Sequence, residues 1–294
     1  MSEVERLVAD SLDEQELIGV LEQRGYVVHR PEPPAPKAEL DVSRLRGDRV
    51  RIGVVSDLHF GSKWQQPTYL REHYRYFRKR RVQAVLIPGD ITDGASSMHA
   101  GFEYEVWAHG FDAQKQAALE GIPDIGVPQY LIAGNHDASH WKASGADIVQ
   151  AICSERDDLN YLGGGRSRFG SVGYVEVAGV LIQLCHPHLG ITRQRSYRLE
   201  TWIERLQPPR PRLVVMGNFH KTAEIYDEGR NCWGIMVPSF QAQSNWMASK
   251  GISSVVGSCI LEFGTATKGL APSLSIEWLL EYEPRPNDWP GGAR

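Results

Sequence analysis

The sequence predicts an α/β fold. From Arg49 onward, short apolar runs rich in β-branched residues alternate with longer amphipathic segments, and the early runs each end in a polar, glycine-containing turn. The C-terminal part is rich in strand-like runs. Residues 50–56 read as the first strand, with 82–88 and 128–133 as the next two. A helix is expected between the first two, over 68–81, and two more over 103–119 and 145–155. Residues 171–185 read as a hairpin turning at Ala178-Gly179, and a helix over 197–206 precedes a strand over 213–216. The runs 223–227, 232–237, 255–263 and 273–282 are expected to add strands to a second sheet.

Ahead of this domain, residues 1–29 hold seven acids against Arg6 and Arg24, a balance of −5. Leu17, Val20 and Leu21 recur there at helical spacing, and Arg24-Gly25 supplies a stop. Pro31-Glu32-Pro33-Pro34-Ala35-Pro36 sustains neither helix nor central strand and reads as an extended linker. The expected division is a helical appendage and linker over 1–40 and a main domain over 41–294.

The net charge of −4, from 32 basic and 36 acidic residues, argues against a protein that coats nucleic acid by bulk electrostatics but leaves local basic strips open. No apolar run approaches the roughly 20 residues of a membrane helix, and MSEVERLVAD lacks a signal pattern. Cys153, Cys185, Cys232 and Cys259 fall singly and read as reduced core residues. The expectation is a soluble, cytoplasmic enzyme with no membrane partner; the oligomeric state is left open.

The chemistry-bearing residues sit at strand ends, where open α/β sheets gather their ligand sites. Asp57-Leu58-His59 follows the first strand, Gly89-Asp90 the second and Gly134-Asn135-His136-Asp137 the third. His186 and His188 close the hairpin strand, and Gly217-Asn218-Phe219-His220 follows the strand over 213–216. Any one of these is ordinary turn chemistry. All five in order point to carboxylate and imidazole ligation of borderline or hard divalent ions such as Mn²⁺, Fe²⁺, Zn²⁺ or Ni²⁺. Asp57 and His59 share a face if their segment is extended. The two oxygens of Asp90 can bridge a cation pair about 3.5–4 Å apart, acidifying a bridging water to hydroxide, an in-line nucleophile for phosphorus.

Asp57-x-His59, Gly89-Asp90, Gly134-Asn135-His136-Asp137, His186 and Gly217-x-x-His220 resemble the motifs of the calcineurin-like metallophosphoesterase superfamily, over roughly residues 50–265. The segments SDLHFGSKWQQ, GDITDG, SYRL and PSFQAQSNWMASKG are similar to a phage and archaeal subset of it. The resemblance implies a four-layer αββα sandwich with a dinuclear centre and two divalent cofactor ions, Mn²⁺ foremost. It implies that Asp57, His59, Asp90 and His220 hold the first metal, and Asp90, Asn135 and His186 the second. His136 would stabilise charge on the phosphate or protonate the leaving oxygen, with Asp137 orienting it. The superfamily's final motif is Gly-His-x-His, whereas this chain has Asn218 where the first histidine binds the second metal. An amide oxygen is a poorer donor than imidazole, so the second site is expected to be weaker and more dependent on added Mn²⁺.

Residues 63–81 carry a balance of +6 and residues 193–212 a balance of +4. Arg193, Arg195 and Arg198 closely follow the His186 loop and are the better candidates for phosphate contact; His188 is read as a pocket wall. Trp64 follows a metal-binding loop, where its face could meet a nucleobase. Protein phosphatases of the superfamily usually carry Arg-Gly where this chain reads Asp93-Gly94, which favours phosphodiesters over phosphoproteins. The expected substrate is a nucleotide-type phosphodiester, either a cyclic nucleotide or a nucleic acid end cut by a nuclease. The alternative of another class is a metal-binding scaffold with attenuated turnover.

Overall fold

The computed structural model describes residues 37–40, 49–95, 98–99, 101–163, 170–207, 210–264 and 273–292. The expected helical appendage, residues 31–36 of the linker and the rest of 1–36 lie outside the described residues. Along the chain come β1 (Lys37–Leu40), β2 (Arg49–Val54), α1 (Pro67–Arg80), β3 (Ala84–Pro88), α2 (Phe102–Glu105), α3 (Phe111–Gly121) and β4 (Gln129–Ile132). Then follow α4 (Asp137–Ser144), α5 (Ile148–Cys153), β5 (Leu159–Tyr161), β6 (Val172–Val177), β7 (Val180–Cys185) and α6 (Tyr197–Glu204). The remainder is β8 (Leu213–Met216), β9 (Ala223–Asp227), β10 (Cys232–Met236), α7 (Asn245–Ser249), β11 (Val256–Gly264) and β12 (Leu274–Glu281).

Two mixed sheets form, in the orders β12-β11-β2-β3-β4-β5 and β1-β6-β7-β8-β10-β9. Side chains alternate across each strand, and both faces of both sheets are covered. In the first sheet Val85, Ile87 and Leu131 pack on Leu70, Tyr74 and Phe77 of α1 and on Ala118 and Ile152. Their neighbours Val54, Ala84, Leu86 and Ile132 point the other way, against Val175, Ile182, Leu184 and Val215 of the second sheet. The far side of that sheet, at Val214, Met216 and Met236, is closed by Leu199 and Ile203 of α6. The layers are therefore αββα, and each fully buried aliphatic side chain contributes about 1.5–3 kcal/mol.

Four differences from the expected elements bear on the site. The tail strands divide: β9 and β10 join the second sheet, but β11 pairs antiparallel with β2 and carries β12 to the edge of the first. β11 is almost wholly buried, which calls for an interior position between a helix and the opposite sheet. The helix over 103–119 is split because Ser62 bridges to Val106 and the Gly61 carbonyl accepts from Trp107, while Gly110 takes a left-handed φ of 84°. The helix over 145–155 starts at Ile148 behind an Asp147 cap, and Gly145 instead terminates α4, which its weakly amphipathic sequence does not announce. Lys37–Leu40, at the end of the expected linker, pairs in parallel with β6.

Candidate metal centre

Strands β2, β3, β4, β7 and β8 each release the chain into a short loop, and the five loops converge. Asp57 and His59 do not share a face through an extended segment; both have left-handed backbones, with φ of 51° and 49°. Asp90, Asn218 and His220 are left-handed too, so five of the nine non-glycine residues with positive φ among the described residues lie here. Such conformations cost about 1–3 kcal/mol each and persist only where surroundings impose them. The imposing contacts are backbone bonds between loops: Asp57 N–H to Gly89 O and His59 N–H to Asp90 O, both 3.1 Å, and Val255 N–H to His220 O, 2.9 Å.

The motif glycines permit the approach. A Cβ on Gly134 would sit 2.0 Å from Asp90 Oδ1, and one on Gly89 would sit 2.3 Å from His186 Nδ1. Neither position accommodates alanine without moving a candidate ligand.

The donor atoms gather as three overlapping groups, each within 4.8 Å: Asp57, His59 and His220; Asp57, Asp90 and His186; and His59, Asp90 and His136. Asp57, His59, Asp90, His186 and His220 are all buried. His220 Nε2 lies 3.2 Å from Asp57 Oδ1 and 3.3 Å from His59 Nε2, and His186 Nε2 lies 3.2 Å from Asp90 Oδ2. Asn135 joins them, its Oδ1 3.1 Å from His186 Nε2.

Three imidazoles are held with the same nitrogen outward. His186 Nδ1 faces the Pro88 carbonyl at 2.7 Å, an atom that only accepts, so Nδ1 carries the proton. His59 Nδ1 donates to Asp93 Oδ1 at 2.9 Å. His220 Nδ1 donates to Ser254 Oγ at 3.2 Å, because that hydroxyl gives its own proton to the Gln241 carbonyl. With Nδ1 committed behind each ring, Nε2 is the nitrogen turned into the cluster.

Charge follows the same pattern. Burial works to raise the Asp90 carboxyl, but the imidazoles of His186, His136 and His59 outweigh it and hold it well below the usual carboxylate range. Asp57 is lowered likewise, against burial, mainly by His220. Against its own burial His186 is pushed up to about 9 by Asp90 and Asp57, while burial and then His136 lower His59. A buried set of ionised carboxylates and converging imidazole nitrogens fits a divalent cation of borderline character.

His136 stands at the edge of this set, its ring 4.5 Å from that of His59 and its backbone N–H on Asp90 Oδ1 at 2.8 Å. Its Nδ1 donates to the Asp93 carbonyl at 2.6 Å. The expected orienting partner, Asp137, is occupied elsewhere. Its carboxylate accepts from the N–H groups of Ile91, Thr92 and Gly134 and from the Thr92 hydroxyl, so it ties the second and third loops together. Burial and Asp90 push it up to about 6, against these hydrogen bonds.

Asn218 contributes its backbone N–H to Asp57, 3.1 Å from Oδ1. Its amide nitrogen donates to the carbonyls of Pro187 and Leu189, at 2.6 and 3.0 Å, leaving the amide oxygen as the atom able to meet a cation. His188 is exposed, within 2.8 Å of Ser171 Oγ, and lines a cavity of about 680 Å³ beside Asn135 and Asn218. Arg193 and Arg195 do not reach the donor cluster; they line an adjoining pocket.

Two residues beyond the sequence expectation hold the centre. Asp93 fixes His59 with its carboxylate and His136 with its carbonyl, and Gln241 Nε2 in turn holds Asp93 Oδ1 at 3.0 Å. Asp93 lies three residues after Asp90 in GDITDG, and that spacing was its only signal. Above the cluster lies a cleft of about 250 Å³, walled by Asp90, Asn135, His136 and His220 and by Phe102, Trp246 and Ile252. No helix among the described residues is long and apolar enough to cross a membrane.

Among solved structures, the chain is similar to an archaeal phosphodiesterase, with 12% identity over 78% of this chain and 100% of the other, at a TM-score of 0.44. It is also similar to Vps29 of Entamoeba histolytica in complex with zinc (12% identity, 79% and 99% covered, TM-score 0.40). A third likeness is to GAP50, the anchor in the inner membrane complex of Plasmodium (11% identity, 82% and 87% covered, TM-score 0.48). No curated protein matches the chain. The profile of calcineurin-like phosphoesterases matches residues 50–255, which include all five converging loops. That span is well over half of the sequence, and the chain belongs to the calcineurin-like phosphoesterase family.

Proposed function

We propose that this metal-dependent phosphoesterase is a phosphodiesterase that hydrolyses nucleotide-type diesters at a dinuclear centre, with Mn²⁺ the preferred ion. The observation that carries it is the convergence of three imidazole Nε2 atoms and two buried carboxylates within 4.8 Å groups that share Asp57, His59 and Asp90. Asp57, His59, Asp90 and His220 would hold one ion, and Asp90, Asn135, His186 and the Asn218 oxygen the other. Ions bound there supply Lewis-acid charge and acidify a water molecule near neutral pH.

The chain's own residues do the remainder. Asp90, whose Oδ2 lies 3.2 Å from His186 Nε2 and 3.7 Å from His59 Nε2, would keep the two halves in register. His136, with Nδ1 fixed on the Asp93 carbonyl, has Nε2 left for a phosphate oxygen or the leaving group, and Asp90 and Asp93 raise its pKa against burial. That Nε2 would donate a proton to the departing alkoxide. Arg193 and Arg195 contribute positive charge beside the cleft.

The test is hydrolysis of an aryl phosphodiester and an aryl phosphomonoester with added Mn²⁺, with bound metal measured by elemental analysis on the same preparation. The diester is expected to be preferred, and Asp90→Asn and His136→Ala to abolish its turnover. Preference for the monoester would contradict the reading. Bound metal without turnover of either ester would establish the scaffold alternative.

A further inference from the structure

Besides the 680 Å³ cavity, the cleft above the donor cluster shares lining residues with two further pockets, and these two differ in chemistry. On one side it shares Ile191, Phe219 and Ile252 with a pocket of about 350 Å³. That pocket is lined by Arg193, Arg195, Arg198, Lys221 and Lys250, with no carboxylate. Among the described residues no ion pair is made by any of these five cations. Lys221 is the telling one. It is only 9% exposed, and its ammonium is anchored by the Ser253 carbonyl at 2.6 Å and by the Ser253 hydroxyl, a geometry that holds a buried positive charge without a protein counter-ion. An ammonium held only by Ser253 oxygens, in a pocket with four further cations and no carboxylate, would be stabilised by an external anion.

On the other side the cleft shares His99, Glu105 and Trp246 with a groove of about 960 Å³. Trp64, Tyr104, Trp246 and Trp289 line it. Tyr104 is 84% exposed and Trp246 38%, and one face of Trp246 is backed by His99, with ring centres 5.1 Å apart and planes 18° apart. Flat side chains held open to solvent next to a phosphoester centre suit unstacked bases, which a duplex does not offer.

We propose that a single-stranded polynucleotide lies through this continuous trough. Phosphates beyond the scissile one occupy the pocket of Arg193, Arg195, Arg198, Lys221 and Lys250, and bases on the other side of the cleft stack on Tyr104 and Trp246. This rests on the phosphodiesterase reading and narrows its substrate: a cyclic mononucleotide has one phosphate and leaves the basic pocket empty. The other basic strip is placed differently. Arg75, Arg78 and Lys79 are exposed on α1, whose C-terminal end lies by the start of β3, whereas the ligand loops leave the strands' opposite ends.

The experiment is fluorescence anisotropy of the full Mn²⁺-loaded chain with a labelled, cleavage-resistant phosphorothioate thymidine oligomer, across a salt series. Arg193→Ala/Arg195→Ala/Lys250→Ala is expected to weaken binding about tenfold or more at low salt and to flatten the log Kd against log salt slope by about 2. Tyr104→Ala/Trp246→Ala is expected to weaken it about fivefold or more with the slope kept. Arg75→Ala/Arg78→Ala/Lys79→Ala should bind as the wild type. Absence of wild-type binding, unchanged binding by the pocket variant, or equal loss in the α1 variant overturns the proposal. Aryl phosphodiester turnover by the same preparation separates the two readings. Turnover without oligomer binding leaves the diesterase reading standing alone, and binding without turnover leaves the trough standing alone.

Discussion

On one side of Asp90, the candidate centre consists of Asp57, His59 and His220, all buried, with each imidazole braced from behind by Asp93 or Ser254. On the other side stand His186, equally buried, and two neutral amides, Asn135 and Asn218, which also line the 680 Å³ cavity. Asn218 has a second occupation on this side, since its amide nitrogen fastens the Pro187–Leu189 turn. One half is closed, with a carboxylate beside two braced imidazoles, whereas the other has an amide clasped to a loop and opens outward. Under the proposed dinuclear reading, the two ions are held unequally.

The largest expected effect comes from removing what both halves share. Gly134→Ala drives a methyl onto Asp90, and the expected result is loss of both metals, with destabilisation of about 1–3 kcal/mol from overpacking. Retention of the wild-type metal content, measured by elemental analysis, would show that Asp90 can shift without consequence. Of the two halves, Asp93→Asn acts on the closed one, and it also removes a charge that raises His136. Its weakened acceptor loosens His59, and affinity for the tighter ion is expected to fall about 10–100-fold. Isothermal titration that shows the weaker ion affected instead would reverse the assignment of halves. Asn218→His is the smallest change and acts on the open half. It should tighten the weaker ion while lowering metal-free stability by about 1–2 kcal/mol, because the two bonds to the Pro187 and Leu189 carbonyls are lost. Superimposable metal titrations of the variant and the wild type would remove the idea that Asn218 sets the asymmetry.

Much of the fold was legible in the sequence, and the candidate donors sit in short local words. Gly89-Asp90 and Gly134-Asn135-His136 follow apolar runs whose ends are visible, and the strand over 213–216 and the hairpin turn at Ala178-Gly179 fall where the pattern put them. What was not legible depends on distant partners. Asp57 and His59 converge through left-handed backbones imposed by loops at Gly89, Asp90 and Ser239, not through strand alternation. Asp137 could be expected to serve its neighbour His136, but only the folded loops reveal three N–H groups and a hydroxyl claiming its carboxylate. The division of the tail strands between sheets is likewise set by register, since β11 reads as a buried strand in either sheet. Lys221 and Lys250 are isolated in sequence, and their pocket exists only once the Ser253 loop meets the Arg193–Arg198 segment.

We propose that the five loops hold two divalent ions of unequal affinity around Asp90. It is tested most directly by titrating Mn²⁺ into metal-stripped protein calorimetrically, beside Asp90→Asn. Two equivalents binding in separate steps, with both steps lost in the variant, is the predicted result. A single equivalent, two indistinguishable steps, or two steps that survive in Asp90→Asn would contradict it.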